Sequence, residues 1–271
     1  MAGWLLMMVV IAVAGREAAR ELNILQIMAM RSFIGLLLLA PLLHAAGGLR
    51  AMKSQRKRQH AARAVVHFGA QYGWFVALTL IPLAQVVAIE FTMPIWTAVL
   101  AVALLGERMN AGKALAITFG LIGVGLIVRP AAAGLNTGQL VALAAAVGFA
   151  GSVTLTKSLT RTESATAISF WMLLWQGVLG IVPALLVWQW PSAGTWGWVL
   201  VVAFCGTYSH YCMARAMQHA DATTVVPMDF LRVPLTALAG WLIYAERLDW
   251  FTVAGAALIL LGNLANLRRR A

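Results

Sequence analysis

The sequence predicts an all-α integral membrane protein with ten transmembrane helices, arranged as two inverted five-helix repeats. Three observations carry that expectation. The first is composition. Of 271 residues, 62% are hydrophobic and 11% charged, whereas soluble domains run nearer half apolar and a quarter charged. A soluble fold would lack polar surface to cover itself, so the bilayer is the natural solvent. The second is the form of the apolar runs. They are about 18–23 residues long, enough for a helix to cross the hydrocarbon core, and lack the short alternation of an outer-membrane barrel. The third is an echo about 140 residues apart: PIWTAVLAVALLGERM from Pro94, and PLTALAGWLIYAERLD from Pro234. Each copy is a proline, an apolar run and an abrupt Glu-Arg, Glu107-Arg108 in one and Glu246-Arg247 in the other. A fixed-distance echo signals internal duplication.

Upstream, setting Gly69 against Gly206 also sets Trp74 against Tyr211 and Ala77 against Ala214, an offset close to that of the Glu-Arg pair. Ten segments follow in order: 3–21, 24–46, 63–80, 83–105, 111–129, 137–158, 165–190, 195–217, 222–244 and 249–267. Pro82, Pro130 and Pro191 fall in turns, where proline is tolerated. The first segment has features of a secretory signal, with an apolar core at 4–14 and Ala12-Val13-Ala14 as a cleavage-like site. Losing it would leave nine helices and break the five-plus-five pattern, so the segment is expected to be retained. The two repeats divide as 1–130 and 136–271.

Charge placement gives the orientation. Arg50, Lys53, Arg56, Lys57, Arg58 and Arg63 fall in the loop after the second segment. Arg108, Lys113, Lys157, Arg161 and Arg268 to Arg270 lie on the same side, making thirteen. The opposite side holds four: Arg16, Arg20, Arg129 and Arg247. Positive loops face the cytoplasm, so both termini are expected there. Five segments per copy is an odd number, so the second copy must be inverted, as in carriers built from inverted repeats. The net charge of +11 sits in short loops and at the C-terminus, a membrane-topology pattern that argues against a nucleic-acid partner.

Residues 83–130, which contain Glu90, Pro94 and Glu107-Arg108, resemble the first EamA repeat of the drug/metabolite transporter superfamily. Residues 222–263, with Pro227, Pro234 and Glu246-Arg247, resemble the second. The resemblance covers essentially the whole chain. It implies a ten-helix, multi-pass carrier of small metabolites in the bacterial inner membrane. Family members export amino acids and their derivatives, or take up riboflavin or S-adenosylmethionine, so it implies transport without naming a solute. Two departures are the near-absent stretch before the first segment and Tyr244-Ala245, where the second copy often has a glycine before its glutamate.

A charge within the hydrocarbon core costs roughly 2.5–3.5 kcal/mol on insertion scales, so each one needs a reason. Glu90 lies four residues before Pro94, which frees a backbone carbonyl near the same face. It suits a proton or cation site, or alternatively a structural ion pair with Arg31 or another helix. Asp229 and Arg232 share a face three residues apart, between Pro227 and Pro234, where the helix is expected to kink or unwind. They either neutralise each other or act together, Arg232 binding a solute carboxylate or phosphate and Asp229 orienting it. Arg31 is expected to snorkel toward an interface. Gln71, Tyr72 and Trp74 on the third segment, with Tyr208, His210 and Tyr211 on the eighth, form a polar and aromatic stripe that could line a solute cavity or simply pack. His210 reads as a protonation switch or a structural histidine.

Other features have plainer readings. Trp188, Trp190, Trp196 and Trp198 are expected as interface anchors, and Gly120, Gly123 and Gly125 as close-approach positions between helices. Cys205 and Cys212, about 10 Å apart by helical rise, cannot form a disulfide with each other. No metal-ligand spacing, phosphate loop or ATP motif is present in the sequence, and no cofactor is expected. The expected partners are a small-molecule substrate, membrane lipids and, as a candidate coupling ion, a proton. The chain is expected not to be an enzyme. The alternative class is a membrane-embedded enzyme acting on a lipid-linked substrate, which would need acidic, His or Cys residues converging at one membrane depth.

Overall fold

The computed structural model describes residues 2–105, 111–128, 136–219, 232–245 and 249–268, and the regular elements among them are all helical. In chain order these are α1 (Ala2–Ala18), α2 (Ile24–Ala45), a 3-10 turn (Gly48–Met52), α3 (Lys57–Leu80), α4 (Leu83–Glu90), α5 (Met93–Leu105) and α6 (Ala111–Val128). They continue as α7 (Thr137–Leu159), α8 (Ala165–Leu186), α9 (Ala193–His219), α10 (Arg232–Tyr244) and α11 (Trp250–Arg268). The chain is an all-α bundle. Among the described helices, α2, α7 and α8 are each long and apolar enough to cross a membrane.

Polar residues set several helix starts. Asn23 accepts from the Leu25 amide ahead of α2, Asn136 from Gly138 ahead of α7, and Ser164 from Ala167 ahead of α8. Each satisfies an amide that the first turn leaves without a partner.

The segment expected as one helix over 83–105 is two. Pro94 cannot donate to the carbonyl of Glu90, and its ring crowds that carbonyl. So α4 ends at Glu90 and α5 begins at Met93. Thr92 bridges the break: its hydroxyl donates to Ile89 O at 2.8 Å, and its carbonyl accepts from Ile95 N at 2.9 Å. The break therefore sets the position of Glu90. The corresponding stretch before Pro234, with Pro227 and Asp229, lies outside the described residues, as do Glu107-Arg108 and Glu246-Arg247.

The helix packing follows a pattern. Taking α4 and α5 as one segment, α6 packs on α11, α2 on α8 and α4 on α10, each against the segment five places later. Two further sets of interfaces are reciprocal, α3 on α7 with α1 on α9, and α2 on α9 with α3 on α8, while α5 also packs substantially on α7. Small residues permit close crossings, the usual currency of helix association in lipid. A Cβ on Gly148 would lie 2.8 Å from that of Ala70, and one on Gly123 would lie 2.7 Å from the Gly255 carbonyl. Gly120 abuts Ile95, but Gly125 faces open space and serves no close approach. The first segment is built into the core, with Ala12, Ala14 and Ala18 fully buried.

Both ends of the bundle are tied across the chain. At one end, Arg16 donates to the Leu78 and Ile81 carbonyls, both at 2.6 Å, and its guanidinium lies 4.8 Å from the centre of the Tyr244 ring. The Tyr244 hydroxyl donates to Glu17 at 2.7 Å. There too, Glu21 accepts from the Ser192 amide and hydroxyl and from Thr195. At the other end, Arg56 donates to the Ser158 carbonyl at 2.8 Å, and Ser54 donates to Glu163. The basic stretch 50–58 and the residues 157–161 therefore share one end.

Candidate functional site

Helices from both halves of the chain line a cavity of about 110 Å³. Its walls come from α1 (Met8, Ile11), α2 (Arg31), α3 (Arg63, His67, Gln71, Trp74), α4 and α5 (Glu90, Met93), α7 (Phe149, Ser152) and α9 (Ser209, His210). Most of the exposed wall area is apolar, and polar groups from five helices converge on it, which is the composition of a small-molecule site, in a volume smaller than the roughly 300–1,000 Å³ of a pocket closed round a drug-sized ligand.

Glu90 is only 7% exposed, and its Oε2 accepts from the Trp74 indole N–H at 2.8 Å. The break at Pro94 presents the carboxylate, and α3 brings the indole. The pairing gives a buried carboxyl oxygen a directed donor. Gln71 sits one turn from Trp74, and its Oε1 has no hydrogen-bond partner among the described residues.

Arg31 does not snorkel. It is 2% exposed and lines the cavity, because its place on α2 faces α9 at Gly206. A Cβ on Gly206 would sit 3.3 Å from its guanidinium carbon, so the glycine gives the head group room. Its Nε and Nη2 have no hydrogen-bond partner among the described residues. A buried guanidinium with open donors is costly unless something else fills them.

Arg63 also departs from the sequence expectation. Read there as a loop charge, it is 5% exposed and donates to the Ile168 carbonyl at 3.1 Å. It belongs to the cavity wall, which leaves twelve residues on the basic side of the topology count instead of thirteen. His67, absent from the sequence-level candidates, links three helices. Its Nδ1 lies 3.1 Å from the Ser152 hydroxyl, and its ring meets Phe149 at 5.2 Å and His210 edge-on at 4.9 Å between centroids.

Of the residues singled out in the sequence, Glu90, Gln71, Trp74 and His210 therefore line one cavity. Tyr208 does not join them. It is 44% exposed on the outer face of α9, stacked on Phe204. Two positions along a helix are about 200° apart, so Tyr208 and His210 cannot face the same way. Tyr72 is likewise exposed. Arg232 opens α10, but its side chain, like the whole of Asp229, lies outside the described residues. Among the described residues no group of His, Cys, Asp and Glu is arranged to hold a metal ion.

The model of the EamA-like transporter family matches the chain twice, over residues 2–129 and 136–268. The chain belongs to the EamA-like transporter family. It is 30% identical to the riboflavin transporter of Rhizobium johnstonii over 82% of this chain and 74% of the relative. It is 26% identical to the S-adenosylmethionine uptake transporter of Rickettsia prowazekii over 80% and 74%. A solved chain described as "Crystal structure of protein" superposes with a TM-score of 0.72 at 19% identity, covering 99% of this chain and 96% of that one. At that identity the likeness concerns the fold alone. This EamA-like chain is a multi-pass membrane protein, and its general activity is secondary transport of a small metabolite across the membrane.

Proposed function

We propose that the chain carries its solute by alternating access between two inverted five-helix repeats, 1–130 and 136–271, in the inner membrane with both termini cytoplasmic. The reciprocal helix pairings support the repeat. The direction of the helices supports the inversion. α1 ends beside the start of α9, where Glu21 meets Ser192, whereas its counterpart α7 ends at the opposite face beside Arg56. The double family match divides the chain in the same place. The skew of basic residues toward the Arg56 end supports a cytoplasmic placement for that end.

The observation that carries the reading is Arg31: a buried guanidinium whose Nε and Nη2 have no partner among the described residues, in a cavity lined from both halves of the chain. A solute offering a carboxylate or carbonyl acceptor satisfies those donors, and Trp74, Phe149 and the methionines pack against its apolar part. Riboflavin presents ring carbonyls and S-adenosylmethionine a carboxylate, so the solutes named for the relatives are the first candidates, and admitting either requires the cavity to widen well beyond about 110 Å³. Glu90 binds a cationic part of the solute or a coupling proton, and Gln71 and His210 complete the wall. Arg232, oriented by Asp229, supplies a second anion contact from the other repeat.

The test is thermal stabilisation of the purified protein by riboflavin and by S-adenosylmethionine, followed by flux into liposomes containing only this protein. Saturable uptake of a stabilising solute supports the reading. Chemical conversion of a lipid-linked substrate without flux would favour the membrane-embedded enzyme instead.

A further inference from the structure

A second recess, of about 750 Å³, lies at the Arg56 end of the bundle, between the loop through residues 49–58 and the first turns of α8. Its two sides differ in chemistry. Lys53, Lys57 and Arg58 supply one side, and Leu49, Phe170 and Leu174 the other. We propose that this recess binds an anionic phospholipid, with the headgroup phosphate over the three cations and an acyl chain along the apolar side.

The three cations are uncommitted: they are exposed and make no hydrogen bond or ion pair among the described residues. Arg56 is committed differently. Its guanidinium is spent on the Ser158 carbonyl and hydroxyl and on Thr162, which pins the loop to the end of α7. Trp171 pins the loop again, its indole N–H donating to the Met52 carbonyl at 2.8 Å. The recess is therefore held open by contacts that do not use its binding groups. The carboxylate beside it, Glu163, is turned inward: it accepts from Ser54 and lies 3.8 Å from His60. It leaves the three outward cations without an internal counter-ion among the described residues.

The level of the recess selects a lipid over a soluble anion. α8 is one of the helices apolar enough to span the membrane and starts at Ala165. Phe170 and Leu174 lie roughly 8–14 Å along it by helical rise, the depth at which a headgroup gives way to chains. Leu49, 68% exposed, would otherwise place an apolar side chain among the charges. A soluble phosphate would use the cations and leave that apolar side bare, whereas a phospholipid covers both.

Native mass spectrometry and thermal shift on the full-length protein in mild detergent test this, with phosphatidylglycerol and phosphatidylcholine as probes. Phosphatidylglycerol should be retained and raise Tm, while phosphatidylcholine does neither. At about 1 kcal/mol per basic residue near an anionic headgroup, the triple change K53Q/K57Q/R58Q should weaken retention on the order of a hundredfold. The change K157Q/R161Q removes two charges from the same end outside the recess and should leave retention intact. Equal retention of the two lipids would overturn the proposal. So would survival of binding in the triple variant, an equal loss in K157Q/R161Q, or displacement of the lipid by millimolar inorganic phosphate. The result is independent of solute identity, so failure of the lipid site and failure of the transport reading remain distinguishable.

Discussion

Replacing Arg31 by methionine should make the protein more stable and less able to transport. The side chain is 2% exposed, and two of its nitrogens, Nε and Nη2, lack partners among the described residues. Each unmet buried donor costs about 1–3 kcal/mol, and a charge in the hydrocarbon core costs about 2.5–3.5 kcal/mol. Methionine removes these costs and keeps most of the stem that packs between α2 and α9. After allowing for lost contacts of the head group, a net gain of about 1–3 kcal/mol is expected, consistent with gains when buried charges are replaced by apolar groups. The gain appears as a rise of several degrees in the Tm of the solute-free protein. Solute affinity should fall at least about a hundredfold, since two charge-assisted hydrogen bonds are lost. Arg31→Lys keeps the charge without the planar fork and should fall between the two. The assay is a thermal melt with and without solute, paired with liposome uptake. A methionine variant that is less stable than the parent, yet transports normally, would refute the reasoning. Arg31 would then be a structural residue whose donors are met in the native protein.

Further tests address the other polar groups. Glu90→Gln keeps an oxygen to accept from Trp74 but removes the charge; if Glu90 carries a coupling proton, gradient-driven accumulation should vanish while counterflow exchange persists, and unchanged uptake at every pH would exclude that role. Arg232→Lys should weaken solute binding at least about tenfold, or about 1.4 kcal/mol, in an equilibrium titration; native-like affinity there and in Asp229→Asn with Arg232→Gln would rule out an anion contact. Orientation can be read by impermeant labelling of Gln55→Cys and Ala193→Cys in a background lacking Cys205 and Cys212, with only the second expected to react from outside intact cells. Gln55 is preferred to Ser54, which is buried against Glu163. The hydroxyls of Thr195 and then Ser192 hold the Glu21 carboxyl below the usual carboxylate range. With the folded value below the unfolded one, that stabilisation is full above the ordinary carboxylate pKa and is lost as pH falls through the folded value. Glu21→Gln should therefore lower Tm at neutral pH and make progressively less difference as the pH falls below the ordinary carboxylate range.

The helix spans were legible because apolar length is a one-dimensional signal, and α7 and α9 begin within two residues of where the sequence puts them. Pro94 pointed to a freed carbonyl near Glu90 but not to the consequence, that α4 would end at Glu90 within reach of Trp74. That contact joins residues 16 apart in sequence across two helices, and no local periodicity encodes it. Arg63 was misread because a basic residue at the edge of a basic loop looks like its neighbours; α3 starts earlier than expected, at Lys57, and carries Arg63 inward. His67 follows four residues later on the same face, one turn before Gln71 and already inside the expected 63–80 segment, so helical period alone could have found it. Tyr208 was avoidable, since helical period alone separates it from His210. Arg31 was beyond sequence reasoning, because its burial depends on Gly206 from the other half of the chain.

The crossed pairing of the helices also bears on how the protein is made. α1 has its main partner in α9, and α3 has its main partner in α7. Inserted before α9, α1 must therefore wait in the membrane until most of the chain that follows it has been made. During that interval Arg31 has no α9 to lie against, and Arg63 has no Ile168 carbonyl to bond. Neither half can complete its interior alone. A truncated first half should consequently be a substrate for membrane proteolysis, and assembly should proceed as one late, concerted closure of the two halves instead of two successive foldings.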